Sequence, residues 1–190
     1  MSTATTLAAA FERDPGFVWV VPESTPNRLT KLAAIFDGAA RHCARVGGVE
    51  TVDGDAGVGI WSTRSTMEIG FLDAVRSGMF TMPIRIVLGT MGRLSTAERQ
   101  GDELVRRSVG GEFAYLMALG VDPERKGQGL GRRTVELVEE AARAAGHDTL
   151  ALRTENVANV PMYRHLGFEV TAAATVEGSG LEVTALAKSL

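Results

Sequence analysis

Residues 121–131 read Val121-Asp-Pro-Glu-Arg-Lys-Gly-Gln-Gly-Leu-Gly131 and join two segments of opposite character. Upstream, Phe113-Ala-Tyr-Leu-Met-Ala-Leu-Gly-Val121 is almost continuously apolar, as a strand covered on both faces is. Downstream, residues 129–145 put Leu130, Thr134, Leu137, Val138, Ala141 and Ala145 on one side. Glu136, Glu139, Glu140 and Arg143 fall on the other, with Gly146 as a stop, which predicts an amphipathic helix. The unit is a central strand, a short basic glycine-rich loop and a helix N-terminus. Glycines at 127, 129 and 131 let backbone approach a ligand closely, and unpaired helix N–H groups point outward. Arg125, Lys126, Arg132 and Arg133 add positive charge. Such a loop suits a pyrophosphate better than a carboxylate. It lacks the Gly-Lys-Ser/Thr of a P-loop, and its glycines fall one short of the Gly-x-Gly-x-x-Gly dinucleotide fingerprint.

Outward from this unit, Thr149–Arg153 reads as a short strand and Val160–Leu166 as a short helix ended by Gly167. Phe168–Val176 and Leu181–Ala187 form a hairpin about Glu177-Gly-Ser-Gly180. Toward the N-terminus, Thr25-Pro26 opens a helix over 26–46, with Leu29, Leu32, Ala33, Phe36, Ala40 and Cys43 at spacings of three or four. Gly47-Gly48 stops it, and Val49–Val52 with Val58–Ser62 make a hairpin around Asp53-Gly54-Asp55. Residues 4–13 read as a short helix, Asp14-Pro15-Gly16 as a break and Phe17–Val21 as an apolar run in a loop. Met67–Val75 and Ile84–Met91 are candidate helices, and Ser95-Thr-Ala-Glu98 has the form of a capping box opening a helix to about 107. The expected fold class is a mixed α/β sheet flanked by helices, in one domain over 1–190 with a cofactor-binding core at 112–188.

Composition narrows the function. Lys plus Arg number 20 against 23 Asp plus Glu, a net charge of −3, which argues against a nucleic-acid binder. With 45% hydrophobic and 23% charged residues the chain is of globular type. Cys43 is the only cysteine, so neither a disulfide framework nor a cysteine zinc cluster can form; it lies on the inward stripe of its helix and reads as core. His42, His147 and His165 stand apart, and no metal is expected. Trp61, on a hairpin strand, reads as packing. No leader-like N-terminus and no apolar run of about 18 residues is present, so a cytoplasmic protein without membrane contact is expected.

The loop Lys126-Gly-Gln-Gly129-Leu-Gly131 resembles the phosphate-binding motif of the GNAT N-acetyltransferase superfamily, with Lys126 where the family usually has Arg or Gln. Asn156 and Tyr163-Arg-His-Leu-Gly167-Phe168 resemble its second motif, in the family's order. Val58-Gly-Ile-Trp61, Ala114–Pro123 and Asn159–Phe168 are similar to puromycin N-acetyltransferase-like members. The resemblance covers about 5–188 and is weakest between 64 and 110. It implies an enzyme that passes acetyl directly from acetyl-CoA, as co-substrate, to a primary amine of a small molecule of antibiotic, polyamine or amino-sugar type. A protein or peptide N-acetyltransferase and a non-catalytic acyl-CoA sensor are the alternatives.

On that resemblance, pyrophosphate meets Lys126, Gly127, Gln128, Gly129, Leu130, Gly131 and Arg132. The pantetheine arm meets Leu119, Gly120 and Val121 on one side and Asn156 or Asn159 on the other. Tyr163 is the expected general acid. An aliphatic amine needs about 4.6 kcal/mol to lose its proton at pH 7, so a base is required, and Glu112 and Glu155 are the candidates. Phe17, Trp19, Phe71, Phe80 and Met82 are candidate acceptor-pocket residues by the same analogy. The family opens with a strand, whereas only Met1–Thr6 stand before the first helix here; an uncovered sheet edge would allow a homodimer.

Overall fold

The computed structural model describes residues 2–69 and 98–190. The candidate helices Met67–Val75 and Ile84–Met91, the capping box at 95–98 and the pocket candidates Phe71, Phe80 and Met82 lie wholly or partly outside these residues. Six strands, β1 (Gly48–Val52), β2 (Gly57–Thr63), β3 (Ala114–Val121), β4 (Thr149–Thr154), β5 (Glu169–Thr175) and β6 (Glu182–Ser189), form one sheet in the order β1-β2-β3-β4-β6-β5. Helices α1 (Thr3–Ala10), α2 (Pro15–Val20), α3 (Arg28–Val46), α4 (98–108), α5 (Leu130–Ala144) and α6 (Val160–His165) accompany it. The chain is thus the mixed α/β fold that its pattern predicts. No strand precedes α1 among the described residues, and β1 is a sheet edge.

Local chemistry explains the boundaries. Ser2 and Thr5 form a reciprocal capping box at α1. The tight β1–β2 turn holds Asp53, Gly54 and Asp55 at φ 51°, 65° and 68°, a left-handed run that Asp and Gly tolerate best. Gly146, at φ 89°, ends α5 as expected. Two expectations are corrected. Phe17–Val21 is not a loop run: Pro15–Val20 is helical, because Asp14 caps it and Pro15 fits its first turn. In α5, Leu137 is exposed at 36% while Glu139 is buried at 6%, because Glu139 meets Lys188 of β6 and Arg143. A third expectation shifts: α3 begins at Arg28 after Asn27, which adopts φ 53° and gives no side-chain cap, rather than at Thr25-Pro26.

The sheet divides the core. Leu7, Val20, Leu32, Phe36, Val58 and Ile60 pack between α1–α3 and one sheet face. Leu116, Val135, Val138, Leu150, Leu152 and Leu186 pack between α5 and the other. Close approach on both sides requires glycine. A Cβ on Gly59 would lie 2.8 Å from Val138 of α5, and one on Gly120 would lie 2.9 Å from Leu7 of α1.

Two irregularities in β3 matter for function. Ile60 pairs with Ala118 and Trp61 with Leu116, so Met117 is an extra residue, a β-bulge. The bulge reverses which residues face which side: Ala114 and Leu116 face α5, whereas beyond it Ala118 and Gly120 face the α1–α3 layer. In addition, β3 pairs in parallel with β4 only through Ala114–Leu150 and Tyr115–Ala151. Both strands run on, β3 to Val121 and β4 to Thr154, without pairing further. The sheet therefore opens as a wedge toward the C-terminal ends of its two parallel strands.

Candidate active site

A cavity occupies that wedge. Leu116–Leu119 of β3 form one wall and Arg153, Thr154 and Glu155 at the end of β4 the other, with Asn159 and Tyr163 beyond them. From the opposite layer come Phe11, Phe17, Val20, Ile35, Phe36 and Ala39. Phe11, Phe17 and Phe36 touch one another with ring centroids 4.9–5.2 Å apart and form an aromatic corner. A cleft at the carboxyl ends of parallel strands is where α/β sheets hold ligands.

The polar side is acidic. Among the described residues, Asp14, Glu98, Asp102 and Glu155 line it against one cation, Arg153. Arg153 Nε donates to Asp102 Oδ1 at 2.9 Å, its Nη1 pairs with Glu155, and Tyr115 donates its hydroxyl to the same Asp102 oxygen at 3.1 Å. Gly101 makes room for the guanidinium, since a Cβ there would lie 2.5 Å from Arg153 Cδ. Burial opposes the charge of Arg153, but Glu155, Tyr115, Asp102 and Glu98 outweigh it and hold its pKa well above the ordinary value.

Burial pushes the Asp14 carboxyl up to about 6, with Glu155 adding to the rise, while two backbone N–H groups and Arg153 pull it down. Burial pushes Glu98 up to about 7 against the pull of Arg153, and raises Asp102 as well. Asp14 and Glu98 thus bind protons more tightly folded than unfolded, where their pKa values are 3.8 and 4.5. Stability from these protons is complete below about pH 4 and is lost as pH rises through 6 and 7. The melting temperature is therefore expected to rise on passing from pH 8 to pH 5. Calorimetric scans across that range check it, and a fall toward pH 5 would contradict the buried acidic cluster.

Tyr163 is buried, at 8% exposure, and its ring stacks edge-on to Phe168 at 5.8 Å. Burial, then Asp14 and Glu155, raise its pKa far above 10, so the hydroxyl keeps its proton at any working pH. Helix α6 is short, with Pro161 in its first turn, and it brings Tyr163 beneath the end of β4.

The loop after β3 is open to solvent. Gly127 and Gly129 sit at φ 81° and 75°, and a Cβ at either would meet nothing within 4 Å. Left-handed backbone there requires glycine, and the space outside is a cradle at the start of α5, where the first N–H groups lack helical partners. The charge is distributed differently from the sequence expectation. Arg125 pairs with Asp53 at 3.1 Å and folds onto Gln128, and Arg133 reaches Asp53 at 3.5 Å. Lys126 and Arg132 remain exposed beside the glycines.

The expected site residues thus separate into groups. Tyr163, Glu155, Leu119 and Asn159 come together at the cavity. Lys126, Gly127, Gln128, Gly129, Leu130, Gly131 and Arg132 lie on the loop and first turn beyond Gly120 and Val121. Asn156 caps the turn after β4, its side-chain oxygen accepting from the Ala158 N–H at 3.2 Å, so its amide N–H₂ is left to donate. Glu112 does not join them: it is exposed in the turn before β3 and does not line the cavity. Phe17 lines the cavity, whereas Trp19 packs against the neighbouring core. Burial pushes the Cys43 thiol up to about 12, beside Met117 Sδ at 3.8 Å, as a core residue requires. Trp61 is also core, its Nε1 donating to Glu50 at 3.2 Å. Among the described residues no group of three His, Cys, Asp or Glu could hold a metal ion, and no helix is long and apolar enough to cross a membrane.

Asp14, Glu98, Asp102 and Arg153 were not singled out from sequence. For Asp14 a signal existed: Asp before Pro marks a helix start as readily as a break. For Asp102 and Arg153, 51 positions apart, only the fold pairs them.

Comparison with known proteins agrees with this geometry. Residues 91–168, which contain β3, the glycine loop, α5, β4 and α6, match the model of the acetyltransferase (GNAT) family. Over that stretch the chain is similar to the GNAT family. Among curated proteins, mycothiol acetyltransferase of Cellulomonas flavigena is 32% identical over 111 residues, 57% of this chain but only 29% of that protein. Among solved structures, polyamine N-acetyltransferase of Drosophila melanogaster shares the fold at 18% identity and TM-score 0.58, over 99% of this chain and 93% of the other. A structure described as histone acetyltransferase HPA2 and related acetyltransferase, from Corynebacterium glutamicum, superposes at TM-score 0.62 and 19% identity, over 98% and 88%. The last two likenesses establish the fold alone.

Proposed function

We propose that the chain transfers an acetyl group from acetyl-CoA directly to a primary amine of a small molecule. The observation that carries this reading is the wedge between β3 and β4, with a glycine cradle beyond one end and Tyr163 among acidic side chains at the other. Strand main chain at Leu119, Gly120 and Val121 would take the pantetheine arm, and Asn156 or Asn159 would face it. Backbone N–H groups of 126–131, with the charges of Lys126 and Arg132, would hold the pyrophosphate. The acidic cavity suits a cationic acceptor, and the aromatic corner suits its apolar part.

Amine attack on the thioester carbonyl forms the C–N bond, and collapse breaks the C–S bond. The sulfur leaves as a thiolate and takes the Tyr163 hydroxyl proton, while Tyr163 recovers one from the new amide nitrogen. No covalent enzyme intermediate is needed. Glu155, rather than the exposed Glu112, shares the cavity with Tyr163.

Acetyl-CoA at about 100 times Kd is expected to stabilise the fold by roughly 2.7 kcal/mol, which for this size of domain is a rise of about 5–10 °C in Tm. Gly129→Val, which strains the loop and fills the cradle, should abolish most of that shift. Absence of any shift with folded protein would refute the reading, and a shift followed by thiol release with an amine would support it.

A further inference from the structure

We propose that Asp14 is the group that takes the proton from the acceptor amine, an inference that rests on the acetyltransferase reading above. Asp14 caps α2, and both of its backbone hydrogen bonds, from Gly16 N at 3.0 Å and Phe17 N at 3.4 Å, fall on Oδ1. Oδ2 has no hydrogen-bond partner among the described residues, and Asp14 lines the cavity with Glu155 and Tyr163. The approach is built into the backbone: a Cβ on Gly16 would lie 3.2 Å from Asp14 Oδ1 and 3.3 Å from Glu155 Cβ. A Cβ there would press on both side chains, so glycine favours the close approach of the start of α2 to the end of β4.

The two carboxylates are not equivalent. Glu155 is bound by Arg153, which compensates its charge and occupies one of its oxygens. Asp14 forms no ion pair among the described residues. The groups facing it are Glu155 and Arg153 from the end of β4 and Tyr163 from α6. Its pKa of about 6 leaves it mostly ionised at pH 7 yet more basic than an ordinary carboxylate.

The proton balance closes. An ammonium acceptor, RNH₃⁺, gives one proton to Asp14 Oδ2, and the resulting RNH₂ attacks the thioester. A second nitrogen proton goes to Tyr163 as Tyr163 gives its own to the departing thiolate. Asp14 returns its proton to solvent, so the sum is amide, CoA thiol and one released H⁺.

The test compares the unmodified chain with Asp14→Asn and Asp14→Ala, assaying thiol release from acetyl-CoA with 1,4-diaminobutane and 2-phenylethylamine from pH 5 to 9. Asparagine still offers Oδ1 to the Gly16 and Phe17 N–H groups, so the helix cap survives, whereas alanine removes both cap and charge. Asp14→Asn is expected to lower kcat/KM about 100-fold and erase the acidic limb near pH 6, with an unchanged Tm rise on adding acetyl-CoA. A rate within about three-fold of the unmodified chain, with the limb intact, would overturn the proposal. A readout that needs no turnover is the ¹³C carboxyl resonance of Asp14, assigned by its loss in Asp14→Asn. A midpoint near 6 supports the role, and one near 3.8 overturns it. If instead acetyl-CoA leaves the Tm of the unmodified chain unmoved, the acetyltransferase reading itself fails, and this inference with it.

Discussion

Tyr163→Phe is expected to lower kcat about 1,000-fold while changing acetyl-CoA affinity less than two-fold. The substitution removes one oxygen and leaves the ring. The edge-on contact with Phe168 at 5.8 Å and the burial of the ring both persist, so the fold should be retained. What disappears is the proton donor to the departing thiolate, worth about 4 kcal/mol of barrier at that rate loss. Because burial keeps the phenol protonated throughout the working range, the pH profile of the remaining activity should keep its acidic limb. Steady-state kinetics and acetyl-CoA titration together decide the matter. Equal losses in rate and affinity would make Tyr163 a packing residue.

Arg153→Met is expected to cost about 3–5 kcal/mol, a fall of roughly 6–20 °C in Tm at pH 8. Methionine fills much of the same space, so the loss is electrostatic. Among the described residues Asp102, at 2% exposure, would retain only the Tyr115 hydroxyl, and Glu155 and Glu98 would lose the cation that compensates them. The penalty should shrink as pH falls toward 5, since Glu98 and Asp14 take up protons near 7 and 6 and the uncompensated charge diminishes. Thermal unfolding of both proteins at pH 8 and pH 5 checks magnitude and sign. A fall smaller than about 2 °C at pH 8 would mean that the cluster is hydrated and that Arg153 holds nothing in place.

Legibility followed the range of the interactions. The β1–β2 hairpin, α3, the loop at 126–131, α5 and the terminal hairpin were readable because each is specified by neighbours within a few residues: alternation, helical periodicity, glycines at left-handed positions. The α2 helix was missed because one short signal, Asp14-Pro15, fits both a break and a cap, and six residues are too few for periodicity to decide. The inward face of α5 was misjudged at Glu139 because its partner, Lys188, stands 49 positions away.

The sequence by itself determined that a buried strand enters a glycine-rich basic loop and an amphipathic helix, and that Tyr163 follows on a short helix closed by Gly167-Phe168. These are local matters of backbone freedom and apolar spacing. Only the tertiary structure decided the bulge at Met117, the parting of β3 from β4 after Tyr115 and Ala151, and the meeting of Asp14 with Glu155, 141 positions apart. Bulge and wedge arise from how strands register against partners, and the carboxylate pair from how α2 seats on the end of β4. No local propensity encodes either, because the energies concerned belong to contacts between segments far apart in the chain.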